Sequence, residues 1–193
     1  MNLLTLFFLI AVGRSALVPM DMVEVNVWRQ PDLSGKFHVD PDTSIKLPLL
    51  GRLDLKNMSL DSLRRELFDR YQSYLGETFI TVNFYFRISI LGEVRRPGLY
   101  YILSNDRLPG LLASAEGATE RGNLRKVRVL RIGQEKRVDV ERILRKGRSL
   151  NDLELMPGDL VIVPRRRTPS WQDIAVIVST ASLTLNLYVA FFK

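Results

Sequence analysis

The sequence predicts an α+β fold, made of two small β-rich modules followed by a C-terminal membrane helix. Three observations favour it. Short segments such as Met22–Trp28 alternate apolar and polar residues, which is typical of half-buried strands. One amphipathic helical pattern begins at Ser59. The uncharged stretch Ile174–Phe192 would form a helix about 28 Å long, close to the thickness of a hydrocarbon core.

The composition of the 193-residue chain excludes several kinds of metal, disulfide and cofactor site. Cysteine is absent, which excludes disulfides, thiolate metal sites and a lipidated N-terminal cysteine. His38 is the only histidine, and no phosphate loop or nucleotide fingerprint is present. We therefore expect no metal and no cofactor.

The net charge of +7 is compatible with an acidic partner but does not identify one. Basic residues concentrate in Arg121–Arg131 and Arg142–Arg148, where a solvated surface is the favoured interpretation. No element that reads nucleic acid accompanies them, so the sequence predicts no nucleic-acid partner.

The first 16 residues carry an apolar run, Leu3–Val12, which is too short to span a bilayer. Its length suits the core of a signal peptide, so residues 1–16 predict export. The alternative is an N-terminal strand or helix of the fold.

The first module begins with a turn at Val18–Asp21 that leads into the strand Met22–Trp28. A loop, a short strand at Phe37–Val39 and a turn at Asp40–Thr43 follow. Ile45–Leu50 reads as an extended segment that Pro48 makes irregular and Gly51 ends.

Ser59 can cap the clearest helix, and Gly76 ends it. Its apolar face is predicted to hold Leu60, Leu63, Leu67, Tyr71 and Tyr74. The next strand, Phe79–Phe86, would place Ile80, Val82, Phe84 and Phe86 on one side.

The second module is organised around Ile88–Ile102, which reads as strand, turn and strand, with the turn at Arg96–Gly98. Its remaining predicted elements are a helix at Leu108–Ala115, strands at Lys126–Ile132 and Lys136–Val140, a helical turn at Glu141–Lys146 and a closing strand within Leu155–Pro164.

A short sequence motif is repeated in the two modules. Val18–Val27 and Met156–Val163 both place Pro-x-Asp before an apolar strand, where the aspartate can cap the turn. The pattern indicates either two related modules or ordinary turn chemistry.

Candidate chemistry is sparse. Asp40 and Asp42 lie beside His38 and could form an acid/base pair, but both occupy a proline-containing turn in which capping explains them. We therefore expect no catalytic residues.

The predicted tail, residues 169–193, follows three arginines and carries Trp171 and Tyr188 near the ends of its apolar stretch. A mixed face contains Ser179, Ser182 and Asn186, which could meet neighbouring helices or line water. A plain single-span anchor, a buried hairpin and an amphipathic segment on the membrane surface are the alternatives.

Several motifs resemble a known family. Those in the first module are Asp21, Trp28, Pro31, Asp32, Leu33, Asp40, Asp42, Pro48 and Gly51; those in the second are Gly92, Glu93, Val94, Pro97, Gly98, Pro157, Gly158 and Asp159. The first set resembles the polysaccharide export domain of Wza-type outer-membrane exporters. The second resembles their soluble-ligand-binding β-grasp (SLBB) domain. The resemblance implies an export domain at 17–86, an SLBB domain at 87–168 and a transmembrane helix at 169–193.

The same resemblance implies a non-enzymatic subunit that forms a homo-oligomeric ring or pore in the outer membrane, with most of the chain in the periplasm. The implied partners are other copies of the chain, an inner-membrane polysaccharide co-polymerase, outer-membrane lipid and a capsular or exopolysaccharide substrate. An adaptor that binds glycan in the periplasm and is anchored by its tail, and an enzyme using Asp40 or Asp42, are the alternatives.

The chain departs from the family pattern at two turns. Met20 stands where the family usually has glycine, so we expect the first turn to adopt another conformation. Glu116 stands where a small residue is usual. The family's lipidated cysteine is absent, which leaves anchoring to the tail, and one SLBB domain implies a short exporter.

Overall fold

The computed structural model describes residues 17–146 and 154–166. The predicted signal peptide and the predicted tail, with Trp171, Ser179, Ser182, Asn186 and Tyr188, lie outside the described residues. The described strands are β1 Met22–Val27, β2 Gly35–His38, β3 Ser44–Leu47, β4 Gly51–Asp54, β5 Ile80–Gly92, β6 Gly98–Leu103, β7 Val127–Arg131, β8 Gln134–Val138 and β9 Leu160–Val163. The helices are α1 Leu60–Leu75, α2 Leu108–Ser114 and α3 Val140–Lys146, with short 3₁₀ turns at Pro31–Leu33 and Leu124–Lys126. The α+β class is confirmed for this part of the chain.

A seven-stranded sheet in the described residues is built around β5. β1 runs antiparallel to Ile80–Tyr85, β9 runs parallel to Ser89–Gly92, and β6 runs antiparallel to Tyr85–Ile90. Tyr85 pairs with both β1 and β6, and Ser89 pairs with both β6 and β9, so β6 occupies one edge of β5. β1 and β9 therefore lie end to end along the other edge.

β5 is one uninterrupted strand of 13 residues that passes through the predicted domain boundary at 86/87. Its alternate side chains Val82, Phe84, Phe86, Ile88 and Ile90 are buried, so the side predicted to be shared by Val82, Phe84 and Phe86 is the one that faces the core, while Ile80 on the same side is only partly buried. They belong to one hydrophobic cluster that draws on both modules. Fully burying an aliphatic or aromatic side chain contributes roughly 1.5–3 kcal/mol, so β5 supplies core to both halves of the chain.

Helix α1 begins and ends as predicted. Ser59 Oγ accepts a hydrogen bond from the Ser62 backbone N–H at 3.1 Å, and Gly76 ends the helix with a φ of 72°. Leu63, Leu67 and Tyr71 are buried against the sheet. The prediction for Tyr74 is wrong: its side chain is exposed, and Leu75 packs against the core in the last turn instead. None of the helices in the described ranges is both long and apolar enough to cross a membrane.

The segment after β3 differs from the expectation. β3 stops at Leu47, the chain turns through Pro48–Leu50, and Gly51 begins a strand rather than ending one. Leu49 and Gly51 both adopt positive φ, at 66° and 71°, which makes this tight reversal possible. β3 and β4 form a separate two-stranded sheet, and the Tyr71 hydroxyl donates to the Pro48 carbonyl at 3.2 Å. β4 was not predicted from the sequence.

The expectation for Met20 is also wrong. Met20 keeps the left-handed conformation, with φ at 73°, close to the 79° of Gly158 at the equivalent place in the second turn. The Met20 N–H donates to the Val39 carbonyl at 2.9 Å, which holds the backbone in this conformation despite the side chain. Glu116, the other departure, likewise adopts positive φ, at 59°, and pairs with Arg96 at 3.0 Å.

Replacing Met20 by glycine should therefore stabilise the protein. A left-handed non-glycine residue costs about 1–2 kcal/mol, of which the greater flexibility of glycine in the unfolded chain cancels roughly half, so we expect a gain of about 0.5–1 kcal/mol. The measurement is the midpoint of denaturant unfolding.

Met156→Gly is the matched control. Met156 has similar exposure and lies in the second turn, but it is not among the residues with positive φ. We expect this variant to lose about 0.5–1 kcal/mol. A loss of stability in Met20→Gly as well would contradict the strain argument.

Candidate functional site

The two Pro-x-Asp turns have the same internal geometry. Asp21 Oδ2 accepts a hydrogen bond from the Val18 backbone N–H at 2.8 Å, and Asp159 Oδ2 accepts one from the Met156 N–H at 2.9 Å. Both aspartates are buried. The motif repeated in the sequence is therefore also a repeated structure, in which an aspartate caps the turn that precedes a core strand.

Both turns meet the backbone of Arg87 in β5. The Arg87 N–H donates to Asp21 Oδ1 at 2.8 Å, and the Arg87 carbonyl accepts from the Gly158 N–H at 3.1 Å. The Ser89 N–H donates to the Asp159 carbonyl at 3.1 Å. These contacts fill the gap between β1 and β9 on the shared edge. The motifs of the two modules thus converge on the backbone N–H and carbonyl of one residue, which we call the Arg87 junction.

The two aspartates differ in how their charge is compensated. Arg131 Nε and Nη2 donate to Asp159 Oδ1 and Oδ2, each at 2.8 Å. Asp21 receives two backbone N–H groups but no guanidinium hydrogen bond within the described residues. Burial therefore raises the pKa of Asp21 from 3.8 to about 6, while the hydrogen bonds from Val18 and Arg87 lower it only in part.

The other SLBB motif residues form the end of β5 and the turn that follows. Gly92 has a φ of 90°, and a Cβ there would lie 2.2 Å from the Val163 carbonyl oxygen, so no side chain fits. The Glu93 N–H donates to that same oxygen at 2.8 Å, and the Thr119 hydroxyl donates to the Glu93 carboxylate at 2.7 Å. Val94 is buried, and Gly98 opens β6 after Pro97. These residues hold the end of β5 against β9, and their contacts serve the fold.

Two aromatic side chains of the first module lie on the surface: Trp28 of the export motif and Phe79, which precedes β5. The Trp28 N–H donates to the Phe79 carbonyl at 2.9 Å, which continues the β1–β5 ladder by one residue. Their side chains are 64% and 82% exposed. Strand alternation puts both on the face opposite the buried Val27. We call this pair the aromatic edge. Pro31, Asp32 and Leu33 form the adjacent 3₁₀ turn.

Asp40 and Asp42 occupy structural positions. Asp42 Oδ1 accepts from the Ser44 N–H and hydroxyl at 3.2 and 2.7 Å, and Asp42 pairs with Arg52. Asp40 lies 3.5 Å from Lys46 Nζ. His38 packs edge-on against Tyr101, with ring centroids 5.6 Å apart. These partners explain the cluster as a turn. Within residues 17–146 and 154–166, no group of acidic or histidine side chains has the arrangement of a metal site.

The sequence thus identified the aspartates of the junction but not its centre. Arg87 acts through its backbone, which leaves no signature in residue type. Arg131 lies at alternate spacing from Val127 and Val129 in β7, and a charge on that apolar face of the strand was the available signal. Pro48 and Gly51 shape the β3–β4 turn, away from the junction.

Comparison with known proteins places both modules in described families. Residues 13–84 match the model of the polysaccharide biosynthesis/export protein family, and residues 87–163 match the SLBB domain. Two sequences of the polysialic acid transport protein KpsD of Escherichia coli are 30% identical to the chain over 166 residues. These alignments cover 80% of this chain and 29% of each relative, so the chain spans less than a third of the length of these curated relatives.

The buried Asp21 should give the protein a recognisable pH dependence. The folded chain holds the Asp21 proton up to about pH 6, whereas the unfolded chain loses it near pH 3.8. The free energy of unfolding should therefore fall as pH rises from about 4 to about 6, by up to about 3 kcal/mol from this group. Asp21→Asn should remove this component, as measured by urea unfolding across the window.

Asp32→Asn provides the control, because Asp32 is exposed. It should keep the slope of the unchanged protein. An Asp21→Asn variant with that same slope would show that Asp21 titrates normally.

Proposed function

We propose that this chain, which belongs to the polysaccharide export protein family, is an exporter subunit. It would form a homo-oligomeric ring or pore in the outer membrane. The ring would carry capsular polysaccharide or exopolysaccharide from the periplasm to the cell surface, and most of the chain would lie in the periplasm. An inner-membrane polysaccharide co-polymerase would deliver the polymer.

The observation that carries this proposal is the Arg87 junction. The two modules share a strand and both bind the backbone of Arg87, so they form a rigid block suited to repeated packing around a ring axis. The aromatic edge supplies exposed apolar surface of the kind found at protein interfaces. A transport role also agrees with the relatives, which are named as transport proteins, and with the structural use of Asp40 and Asp42.

The predicted tail completes the proposal. Its lipid face would anchor each subunit, and its mixed face, with Ser179, Ser182 and Asn186, would meet neighbouring helices or line the pore. We expect deletion of Trp171–Lys193 to leave a soluble protein and to stop polymer export. The readouts are surface polymer on cells and the mass of the protein by light scattering.

Full-length protein extracted in mild detergent should have the mass of a closed ring of many subunits, and the deletion should lose that mass. A monomer or dimer at full length would favour the tail-anchored periplasmic adaptor. Normal surface polymer in cells carrying the deletion would exclude the pore.

Phe79 tests the aromatic edge as a contact between subunits. Phe79→Ser should shift assembly to at least about fivefold higher protein concentration, because removing an aromatic anchor that is buried at an interface costs more than about 1 kcal/mol. Native mass spectrometry over a dilution series measures the shift.

Ile132→Ser is the matched control, since Ile132 is 79% exposed, close to the value for Phe79, but lies at the β7–β8 turn. Both variants should keep the unfolding midpoint of the unchanged protein. Equal effects of the two substitutions on assembly would contradict the assignment of the aromatic edge.

A further inference from the structure

Of the two modules, only the second carries a net positive charge. Residues 87–166 contain 17 Lys and Arg against 10 Asp and Glu, whereas residues 17–86 contain 8 against 10. The first module is therefore slightly acidic, and the second accounts for the basic character of the protein. Such an asymmetry indicates a directed electrostatic surface rather than a uniformly charged one.

Part of this charge lines a groove. The groove has a volume of about 310 Å³ and is lined by Arg125, Asp139, Glu141, Arg142 and Arg145, which we call the basic groove. Its volume lies at the low end of the range for small-molecule sites, roughly 300–1,000 Å³. A concavity of this size suits one or two sugar units better than a flat lipid surface.

Glu141 organises the arginines. Its carboxylate accepts from Arg125 Nε at 2.8 Å and from Arg145 Nη2 at 2.6 Å, and Arg166 Nη2 lies 3.9 Å away. The Arg125 hydrogen bond is the largest of the effects that lower the pKa of Glu141. Glu141 thus holds together guanidinium groups that would otherwise repel one another.

The arginines keep unused hydrogen-bonding capacity. Each guanidinium group carries five N–H donors. One carboxylate cannot satisfy the donors of three guanidinium groups. Arg125, Arg145 and Arg166 each remain more than half exposed. Arg142 adds a fourth guanidinium with no carboxylate partner in the described part of the chain, while Asp139 Oδ1 accepts from the Arg142 backbone N–H at 2.8 Å. The three arginines that line the groove therefore exceed its two carboxylates by one charge, and Arg166 beside Glu141 adds a second.

We propose that the basic groove binds the carboxylate groups of an acidic polysaccharide, one carboxylated sugar at a time. Arginine recognises carboxylates through paired, charge-assisted hydrogen bonds, and the groove offers several such donors in one place. The inference rests on the proposed function, since it names the substrate class of the exporter. It adds that the substrate is anionic and that the second module makes the contact.

Binding at one groove is weak, because exposed ion pairs are screened by water and salt. Weak binding suits transport, in which a polymer must enter and also leave. Many copies in a ring would act together on one chain of repeating carboxylates, so avidity would supply retention without tight single sites.

The test measures binding of full-length protein in detergent to polysialic acid, with dextran as the neutral polymer. Polysialic acid should bind, dextran should not, and binding should weaken as salt is raised. Arg142→Glu should weaken binding at least fivefold while leaving the unfolding midpoint and the oligomeric mass unchanged, because Arg142 is exposed.

Arg65→Glu is the matched control. It makes the same charge change at an exposed position in the first module and should leave binding unchanged. Failure of polysialic acid to bind, equal binding of dextran, or equal losses in the two variants would each overturn the inference.

Vesicles containing phosphatidylglycerol are the competing probe. Binding to them that is sensitive to Arg142→Glu, with no binding of polysialic acid, would assign the groove to lipid and overturn the proposal. The ring mass and export measurements test the exporter itself. A ring that exports polymer but ignores polysialic acid would refute only this inference.

Discussion

The backbone of Arg87, with one N–H and one carbonyl to satisfy, is the constraint on which the rest of the fold depends. A sheet edge offers unpaired N–H and carbonyl groups, and a buried one must be satisfied. β1 and β9 each cover part of the same edge of β5 and leave a gap at Arg87. The gap is filled by Asp21 from one side and by the Gly158 backbone from the other. Two modules can therefore share one strand without leaving buried polar groups unpaired.

The two turns reach the same geometry by different electrostatics. Asp159 is neutralised by Arg131, which reaches it from the neighbouring β7. Asp21 relies on backbone N–H groups, so its burial is only partly compensated and its pKa is raised. The backbone strain is also unequal, because Met20 occupies the left-handed position that Gly158 fills in the second turn. The first turn is thus the less relaxed of two otherwise equivalent structures.

Local signals predicted much of this structure, and the misses lie where backbone conformation or backbone contacts decide the outcome. The capping of α1 by Ser59, its end at Gly76 and the alternation of side chains along β5 follow from cap chemistry and periodicity. β4 was missed because its start depends on the left-handed Leu49, which nothing in residue type announces. Of the site, Asp21 and Asp159 were predicted from their turns. The role of Arg87 could not be, because it uses only backbone atoms that every residue has.

The shared strand has a mechanical consequence. β5 spans about 40 Å at roughly 3.3 Å per residue, and it carries the ladders of both modules without a linker between them. Bending between the modules would have to break hydrogen bonds of the β-ladder. Domains joined by an ordinary flexible linker can move without breaking such bonds. The two modules should therefore move together as one rigid body, so that a displacement of one module also displaces the other.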